Sequence, residues 1–209
     1  ALARSDIDAV VVTTPDDTHE DIAVRVAAAG KAILLQKPMA TTSTACRRII
    51  AAADKAGVDL QVSFMHRFFE EAVMARDLLA KGAIGRVTSV RVRNATPGPD
   101  WADWFFKRER VDGGVVLQLG IHGIDLVEHL FGPIAAAGAR TATLQPERRL
   151  ADGRVVPVEN ADSAWATYEL AGGAFASHEM SMVEVEGCDR FRMEIYGTEG
   201  TMWLRTERG

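Results

Sequence analysis

A lysine and a proline, Lys37 and Pro38, follow a short apolar run near the start of the chain. The run Ile33–Leu35 shows no alternation of apolar and polar residues, which favours a strand covered on both faces, as in a parallel sheet. Lys37 would leave the carboxyl end of that strand, where the ligands of open α/β sheets bind, so it could reach a substrate oxygen. Taken alone, the stretch favours the simpler interpretation, a surface lysine beside a proline turn.

Four polar residues share one side of a predicted apolar helix over 113–131. They fall at i, i+4, i+7 and i+11 of that helix: Gln118, His122, Asp125 and His129. Polar groups on a buried helix need partners or a cavity, so these residues alone favour a satisfied core network. His122 is also suited to proton transfer near neutral pH. A metal site ranks third because no further ligand clusters with them, and we predict no metal.

Three other titratable residues carry weaker predictions. His19 lies near a predicted helix start, where a solvent-facing role and a cofactor contact are equally consistent. Arg67 follows a predicted strand and can meet a phosphate, a carboxylate or an acidic side chain. We assign His178, within another strand, to packing.

The composition excludes several classes of protein. A formal net charge of −5 gives no basic footprint for nucleic acid. No apolar run reaches the roughly 18 residues that a membrane-spanning helix needs. Cys46 and Cys188 are far apart and lie in no motif, which suits a reducing cytoplasm and predicts no disulfide framework.

Strands and helices alternate in the first third of the chain. Strands are predicted at 8–14, 33–35 and 59–64, separated by a helix that stops at Gly30 and another that Thr41 or Thr42 caps and Gly57 ends. This order predicts a parallel, doubly wound sheet, and we expect residues 1–64 to form half of a dinucleotide-binding domain.

The pattern changes after residue 64, and we expect residues 65–209 to form a second domain. A helix over 70–81 and a strand over 85–93 precede an aromatic segment, 94–110, that could be a substrate lid or a loop pinned by its aromatic rings. Three alternating strands are then predicted at 163–170, 174–182 and 190–196, and a turn at 197–200 leads from the third to residues 201–204. They form an antiparallel-rich open sheet whose two faces both carry large side chains, so we expect a homodimer or homotetramer built on that sheet.

The chain resembles the glucose–fructose oxidoreductase, inositol dehydrogenase and rhizopine-catabolism family of nicotinamide-dependent oxidoreductases. The resemblance is carried by an ordered set of motifs across almost the whole chain: residues 8–15 with His19, Gly30-Lys31 leading to Gln36-Lys37-Pro38, Arg67-Phe68, 82–85, Gly113-Gly114 leading to 120–125, and 196–201. It implies an α/β fold in which the C-terminal half of a Rossmann-type parallel sheet is followed by an α+β domain with a large, mostly antiparallel open sheet.

The resemblance also implies roles for individual residues. Lys37 would stand near the reacting carbon, His122 would be the catalytic histidine, and Gln118 would stand where many relatives have an aspartate. Cofactor contacts, to NAD or NADP, are implied for a set of residues in the first half and just beyond it: Thr13, Thr14, Pro15, His19, Gln36, Lys37 and Arg67. Because no Gly-x-Gly-x-x-Gly occurs in the chain, the resemblance places the pyrophosphate loop before Ala1 and allows more chain after Gly209.

Two positions depart from the family pattern. Gln36 replaces the usual glutamate and removes a negative charge beside Lys37, which should favour neutral lysine. Gln118 cannot act as a base, although its amide can hydrogen-bond a hydroxyl.

The leading hypothesis is therefore a cytoplasmic NAD(P)-dependent oxidoreductase acting on a sugar, a cyclitol or a related small polyhydroxy compound. The two glutamines keep open a non-catalytic cofactor- or sugar-binding regulatory protein on the same fold. A module retained only for oligomerisation is a third reading.

Overall fold

The computed structural model describes residues 2–187 and 189–207, which form two compact units. The first unit comprises the chain up to Phe64 together with Lys107–Asp112. The second comprises Met65–Phe106 and the chain from Gly113 onward. Cys46 is a free thiol, whereas the prediction for Cys188 falls outside the described residues.

The first unit is a three-stranded parallel sheet with two helices. Its elements alternate along the chain: β1 (Ala9–Val12), α1 (His19–Ala28), β2 (Ala32–Gln36), α2 (Ser43–Ala56) and β3 (Leu60–Ser63). The strand order is β1-β2-β3, and both pairs are parallel. The predicted parallel sheet is confirmed.

Local signals set the ends of α2. The Thr42 hydroxyl accepts a hydrogen bond from the Ala45 amide at 3.1 Å, and Gly57 ends the helix in the left-handed conformation at φ 65°. A threonine cap and a glycine stop are the usual means of satisfying the first amides and the last carbonyls of a helix. Both were predicted, with Thr42 rather than Thr41 as the cap.

Within the described residues, the apolar strands of this sheet are covered on one face. Val12, Ile33 and Leu35 are buried in one cluster with side chains from both α1 and α2, so the two helices pack on the same face. Val11 and Leu34 point to the opposite face and are exposed.

The second unit is built around a six-stranded sheet. Its helices and strands are α3 (Glu70–Ala80), β4 (Val87–Ala95), α4 (Ile121–Phe131), β5 (Ile134–Ala142), β6 (Glu147–Arg149), β7 (Val155–Pro157), β8 (Ser163–Leu170), β9 (Phe175–Ser181), β10 (Asp189–Gly197) and β11 (Thr201–Glu207). The order in the large sheet is β11-β10-β4-β9-β8-β5, antiparallel except for the β4–β9 pair, and β6 and β7 form a separate hairpin.

One face of the large sheet packs on α3 and α4. The core on that face includes Ala75, Leu126, Met180 and Met193. The other face is open and carries exposed aromatic side chains, so the predicted open sheet is confirmed. Strands β5, β6 and β7 were not predicted, since the alanine-rich β5 lacks the alternation of large apolar residues that marks a half-buried strand.

The helix predicted over 113–131 is two helices in series. Residues Val116–Gly120 form a π-helical turn, and α4 starts at Ile121. A π turn takes one more residue than an α turn, so α-helical spacing does not hold between Gln118 and His122. The predicted four-residue stripe is therefore wrong at its first member.

The aromatic segment between β4 and the π turn is held by its own rings. Trp104 stacks on Phe105 at 3.7 Å between ring centroids, and Trp101 meets the edge of Phe105 at 5.4 Å. Of the two predictions for this segment, these contacts favour a loop held by its aromatic rings, in which Trp101 is exposed. In the part of the chain that the structure describes, no helix has the length and apolar character to cross a bilayer.

Candidate functional site

The carboxyl edge of the first sheet presents the residues predicted to meet a cofactor. Thr13 and Thr14 directly follow β1 and are exposed, whereas Lys37 directly follows β2 and is half-buried. β1 and β2 are adjacent and parallel, so their carboxyl ends share one edge of the sheet. The peptide bond between Lys37 and Pro38 is cis.

The buried side chain of His19 connects two turns at this edge of the sheet. Its ring is completely buried at the start of α1, with Nδ1 2.9 Å from the Pro38 carbonyl oxygen and Nε2 2.9 Å from the Thr14 carbonyl oxygen. The imidazole thus connects the turn after β2 to the turn after β1. The solvent-facing alternative for His19 is wrong.

Gln36 has a local role that the sequence did not show. Its amide oxygen Oε1 accepts a hydrogen bond from the backbone amide of Lys37 at 2.9 Å. A side chain that bonds the next amide fixes the backbone at that point. Gln36 therefore helps to set the direction in which Lys37 leaves the strand.

An ion pair joins two distant segments of the first unit. Asp17, in a short 3-10 turn after Pro15, pairs with Arg110 at 2.7 Å. Arg110 belongs to the Lys107–Asp112 segment, which clusters with this unit.

In the second unit, His122 lies in the first turn of α4 and is buried. Its ring stacks on that of His66, with 4.3 Å between centroids and 10° between planes. His66 belongs to the 3-10 turn Met65–Phe68, and its ring also meets Phe191 edge-on at 5.1 Å. The sequence motifs singled out His122 but gave no reason to place His66 against it.

Arg67, next to His66, is held by Asp125. Its Nε donates to Asp125 Oδ2 at 2.8 Å, and Nη2 donates to Oδ1. This charge-assisted bidentate contact raises the pKa of the Arg67 guanidinium, in opposition to its partial burial. Of the three partners considered for Arg67, the structure shows an acidic side chain.

A buried polar network lies next to Gly123, the residue that follows His122 on α4. The Tyr168 hydroxyl donates to His178 Nδ1 at 3.0 Å, and His178 Nε2 donates to Asn94 Oδ1 at 2.8 Å. Because the Asn94 oxygen only accepts, this chain assigns the proton of the neutral ring to Nε2. Burial lowers the pKa of His178 to about 3 and raises the pKa of Tyr168 to about 12.

Two glycines let this end of α4 approach the sheet. A Cβ at Gly123 would lie 2.5 Å from Asn94 Oδ1, and one at Gly120 would lie 2.2 Å from the sulfur of Met180. The spacing of three residues between the glycines is the sequence signal that could have predicted this close contact. His178, assigned to packing, is a hydrogen-bonded member of the buried network beside Gly123.

The structure thus assembles two groups of predicted residues. Thr13, Thr14, His19 and Lys37 belong to the first unit, whereas Arg67, Gln118 and His122 belong to the second. Gln118 is half-buried in the π turn, and His129, two turns beyond His122, is also half-buried. Among residues 2–187 and 189–207, no three His, Cys, Asp or Glu side chains are grouped so as to hold a metal ion.

Two family models match the chain. One, described as oxidoreductase family, NAD-binding Rossmann fold, covers residues 1–64, and the other, described as GFO/IDH/MocA C-terminal domain, covers 72–203. An inositol 2-dehydrogenase of Rhizobium meliloti is 30% identical, and the match covers 99% of this chain and 59% of that protein. A levoglucosan dehydrogenase of Pseudarthrobacter phenanthrenivorans is 29% identical, and the match covers 97% of this chain and 56% of that protein. A solved levoglucosan dehydrogenase in complex with NADH matches with a TM-score of 0.89 at 28% identity, over 98% of this chain and 55% of that one. The chain spans slightly more than half the length of these relatives.

Proposed function

The chain belongs to the GFO/IDH/MocA family of oxidoreductases, and from that premise we propose that the protein transfers a hydride between NAD or NADP and a hydroxyl-bearing carbon of a small polyhydroxy compound. The observation that carries this proposal is the match of both family models, in order, over nearly the whole chain. Relatives named for activity on inositol and levoglucosan support a sugar or cyclitol as the substrate class.

The carboxyl edge of the first sheet fits the nicotinamide side of such a cofactor. Exposed Thr13 and Thr14 and half-buried Lys37 share this edge, which is the ligand-binding edge of parallel sheets. In this proposal residues 1–64 form part of the dinucleotide-binding domain, with Pro15, His19 and Gln36 shaping the edge. His19 does so from its buried position, because its ring nitrogens hold the backbone carbonyls of Thr14 and Pro38.

The second domain, residues 65–209, binds the substrate in this proposal. Bound cofactor supplies the hydride acceptor or donor. Lys37 orients the substrate oxygen and polarises its bond to carbon, while His122 takes the hydroxyl proton during oxidation and returns it during reduction. Gln118 hydrogen-bonds a neighbouring hydroxyl, since an amide cannot take the proton itself.

In this proposal Arg67 acts mainly through its ion pair with Asp125, and less as a cofactor contact. The Asp125 carboxylate accepts hydrogen bonds from two nitrogens of the Arg67 guanidinium, and the Arg67 side chain remains 40% exposed.

Gln36 and Gln118 support a second candidate, a regulatory protein that binds a cofactor or a sugar without turning it over. Both replace acidic residues of the family pattern, so the site has lost two groups that could carry a proton. Saturable binding of NADH together with polyhydroxy ligands, without any turnover, would favour this candidate.

We further propose a cytoplasmic homo-oligomer, a dimer or a tetramer, that assembles through the open face of the large sheet. Trp165, Phe175 and Trp203 are 52%, 63% and 66% exposed on three strands of that sheet. Aromatic area of this kind is unusual on a free surface and typical of an interface. Isolated Cys46, with its free thiol, suits a reducing compartment.

The test is a fluorescence titration of the full-length protein with NADH and with NADPH, followed by turnover assays on a panel of inositols, hexoses and anhydrosugars. Saturable binding of one cofactor and reduction of NAD or NADP by at least one panel member are expected. Binding without turnover would select the regulatory candidate, and the absence of saturable binding to either cofactor would contradict both.

A further inference from the structure

The ring of His66 is held against the face of His122 by its other neighbours. Phe69 lies on one side of it, tilted by 31° at 4.8 Å between centroids, and Phe191 meets it edge-on at 5.1 Å. His66 in turn covers the face of His122 at 4.3 Å and 10°. The plane of the His122 ring is therefore defined by a packed aromatic neighbour as well as by its own helix.

The stack couples the charges of the two rings without a hydrogen bond between them. Imidazole N–H and lone-pair directions lie in the plane of the ring, so two parallel rings that face each other cannot bond to one another. An imidazolium on one ring still disfavours an imidazolium on the other, because like charges at this separation repel. The pair therefore accepts a first proton more readily than a second.

Two neighbouring elements place charged side chains close to the pair. Arg67 follows His66 on the same turn, and Asp125 and Glu128 lie on α4, where both interact with Arg67. Behind Gly123, His178 is kept neutral by burial and Asn94 is uncharged. Phe69 before α3 and Phe191 on β10 contribute no charge. Since Arg67 is engaged by its bidentate partner Asp125, His66 is a group whose change of charge acts directly at the face of His122.

We propose that His66 is a positioning residue for His122 and that the two imidazoles titrate as one coupled pair. This inference rests on the proposed proton-transfer role of His122. During oxidation the substrate carbon gives up a hydride to the oxidised nicotinamide and the hydroxyl proton passes to His122. The imidazolium so formed faces His66, so a proton already on His66 opposes the step. His66 thereby sets both the orientation of the proton acceptor and the pH range over which it can accept.

The direct test is an NMR titration of the full-length protein labelled with ¹³Cε1-histidine, compared with H66F and H129F. H66F keeps a flat ring against His122 but removes its charge, and H129F removes a histidine elsewhere on the same helix. In the wild type and in H129F the His122 signal should move in two steps, or over a wider pH range than a single site allows. In H66F it should follow a single-site curve. Single-site curves of the same shape in all three proteins would overturn the coupling.

Kinetics test the positioning role separately. H66A removes the ring and should lower kcat about 10-fold with little change in KM, because a catalytic group misplaced by about 1 Å can cost up to about 10²-fold. H66F, which keeps a flat ring against His122, should retain kcat within about 3-fold. An unchanged kcat in H66A would overturn the positioning role. Because the NMR titration needs no turnover, a failure of the oxidoreductase assignment would appear as a wild type without activity, whatever the titration shows.

Discussion

Arg67 and Asp125 join the 3-10 turn after the first unit to helix α4 through two parallel hydrogen bonds. The neighbouring residue on the turn, His66, stacks on His122, which lies three residues before Asp125. Two adjacent side-chain pairs thus fix the first turn of α4 against the same short segment. The carboxylate side of the ion pair is almost fully enclosed, with the Asp125 side chain 6% exposed and that of Arg67 40% exposed.

Replacing Arg67 by alanine should destabilise the protein by about 2 kcal/mol, since the Asp125 carboxylate would be left buried without its counter-charge. The value is below that of a fully buried pair because Arg67 is partly solvated. Urea unfolding measures the change. Arg76→Ala is the matched control, because its pair with Asp77 is exposed on both sides, and it should change stability by less than about 0.5 kcal/mol. Equal effects of the two variants would contradict this account.

The close approach of α4 to the sheet predicts a steric effect at Gly123. Gly123→Ala places a methyl group 2.5 Å from Asn94 Oδ1 and 2.7 Å from His178 Cε1, so the polar network or the helix must shift. Overpacking of this kind costs about 1–3 kcal/mol. Gly172→Ala, in the open hairpin between β8 and β9, meets no atom within 4 Å and serves as the control. Thermal unfolding of the two variants should separate them clearly, and a Gly123→Ala protein as stable as the control would disprove the tight contact.

His178 predicts a loss of stability in mild acid. Its folded pKa, lowered to about 3 by burial, lies below the value of about 6.5 expected for the unfolded chain. Between these values the unfolded state binds a proton that the folded state does not, so the contribution is fully present above pH 6.5 and is lost as pH falls towards 3. The loss amounts to about 1.4 kcal/mol per pH unit, or about 2 kcal/mol between pH 7 and pH 5.

Urea unfolding of the wild type and of His178→Gln at pH 7 and pH 5 measures this contribution. The wild type should lose about 2 kcal/mol more than the variant over that interval. The His178 signal of the folded wild type should also stay at its neutral position down to pH 5, a measurement that does not depend on the variant's stability. A His178 signal that titrates near pH 6 would contradict the prediction.

Local sequence signals were sufficient for much of the fold. The strands and helices up to Phe64 follow from apolar runs, a threonine cap and a helix-ending glycine, all of which act within a few residues. Strand β8 follows from alternation, since its buried and exposed residues alternate along Ser163–Leu170. In β8 the alternation of the sequence therefore records which face of the strand is buried.

The remainder depends on contacts between residues distant in sequence. Gln118 was placed by α-helical spacing, but the backbone forms a π turn there, and apolar periodicity does not distinguish the two. The pairs His66–His122 and Arg67–Asp125 join positions more than 50 residues apart, and neither residue type nor spacing selects such a partner. The burial of only one face of β2 among the described residues has no signal in the sequence, because Ile33–Leu35 is uniformly apolar and shows no alternation.

The open face of the large sheet predicts a change of assembly on substitution. Phe175→Glu places a charge in the exposed aromatic surface, so it should convert the oligomer to smaller species at micromolar concentration. Met74→Glu is the control, because Met74 is equally exposed but lies on α3, away from that face. Sedimentation velocity distinguishes the species. A wild type that sediments only as a monomer would disprove assembly through this face.

The assignment of chemical roles predicts distinct kinetic signatures for three variants. Lys37→Met and His122→Ala should each lower kcat roughly 10²-fold or more, the scale for loss of a positioned acid–base group, whereas Gln118→Ala should raise KM more than it lowers kcat, because an amide can only hold a hydroxyl. Lys55→Met, at the exposed end of α2, is the control for removal of a lysine. Steady-state kinetics at neutral pH, with NADH binding measured separately, would show whether each loss arises in the chemical step. If His122→Ala kept a near-normal kcat, the proton would be carried by another group, and His122 would have to be regarded as a member of a buried polar network.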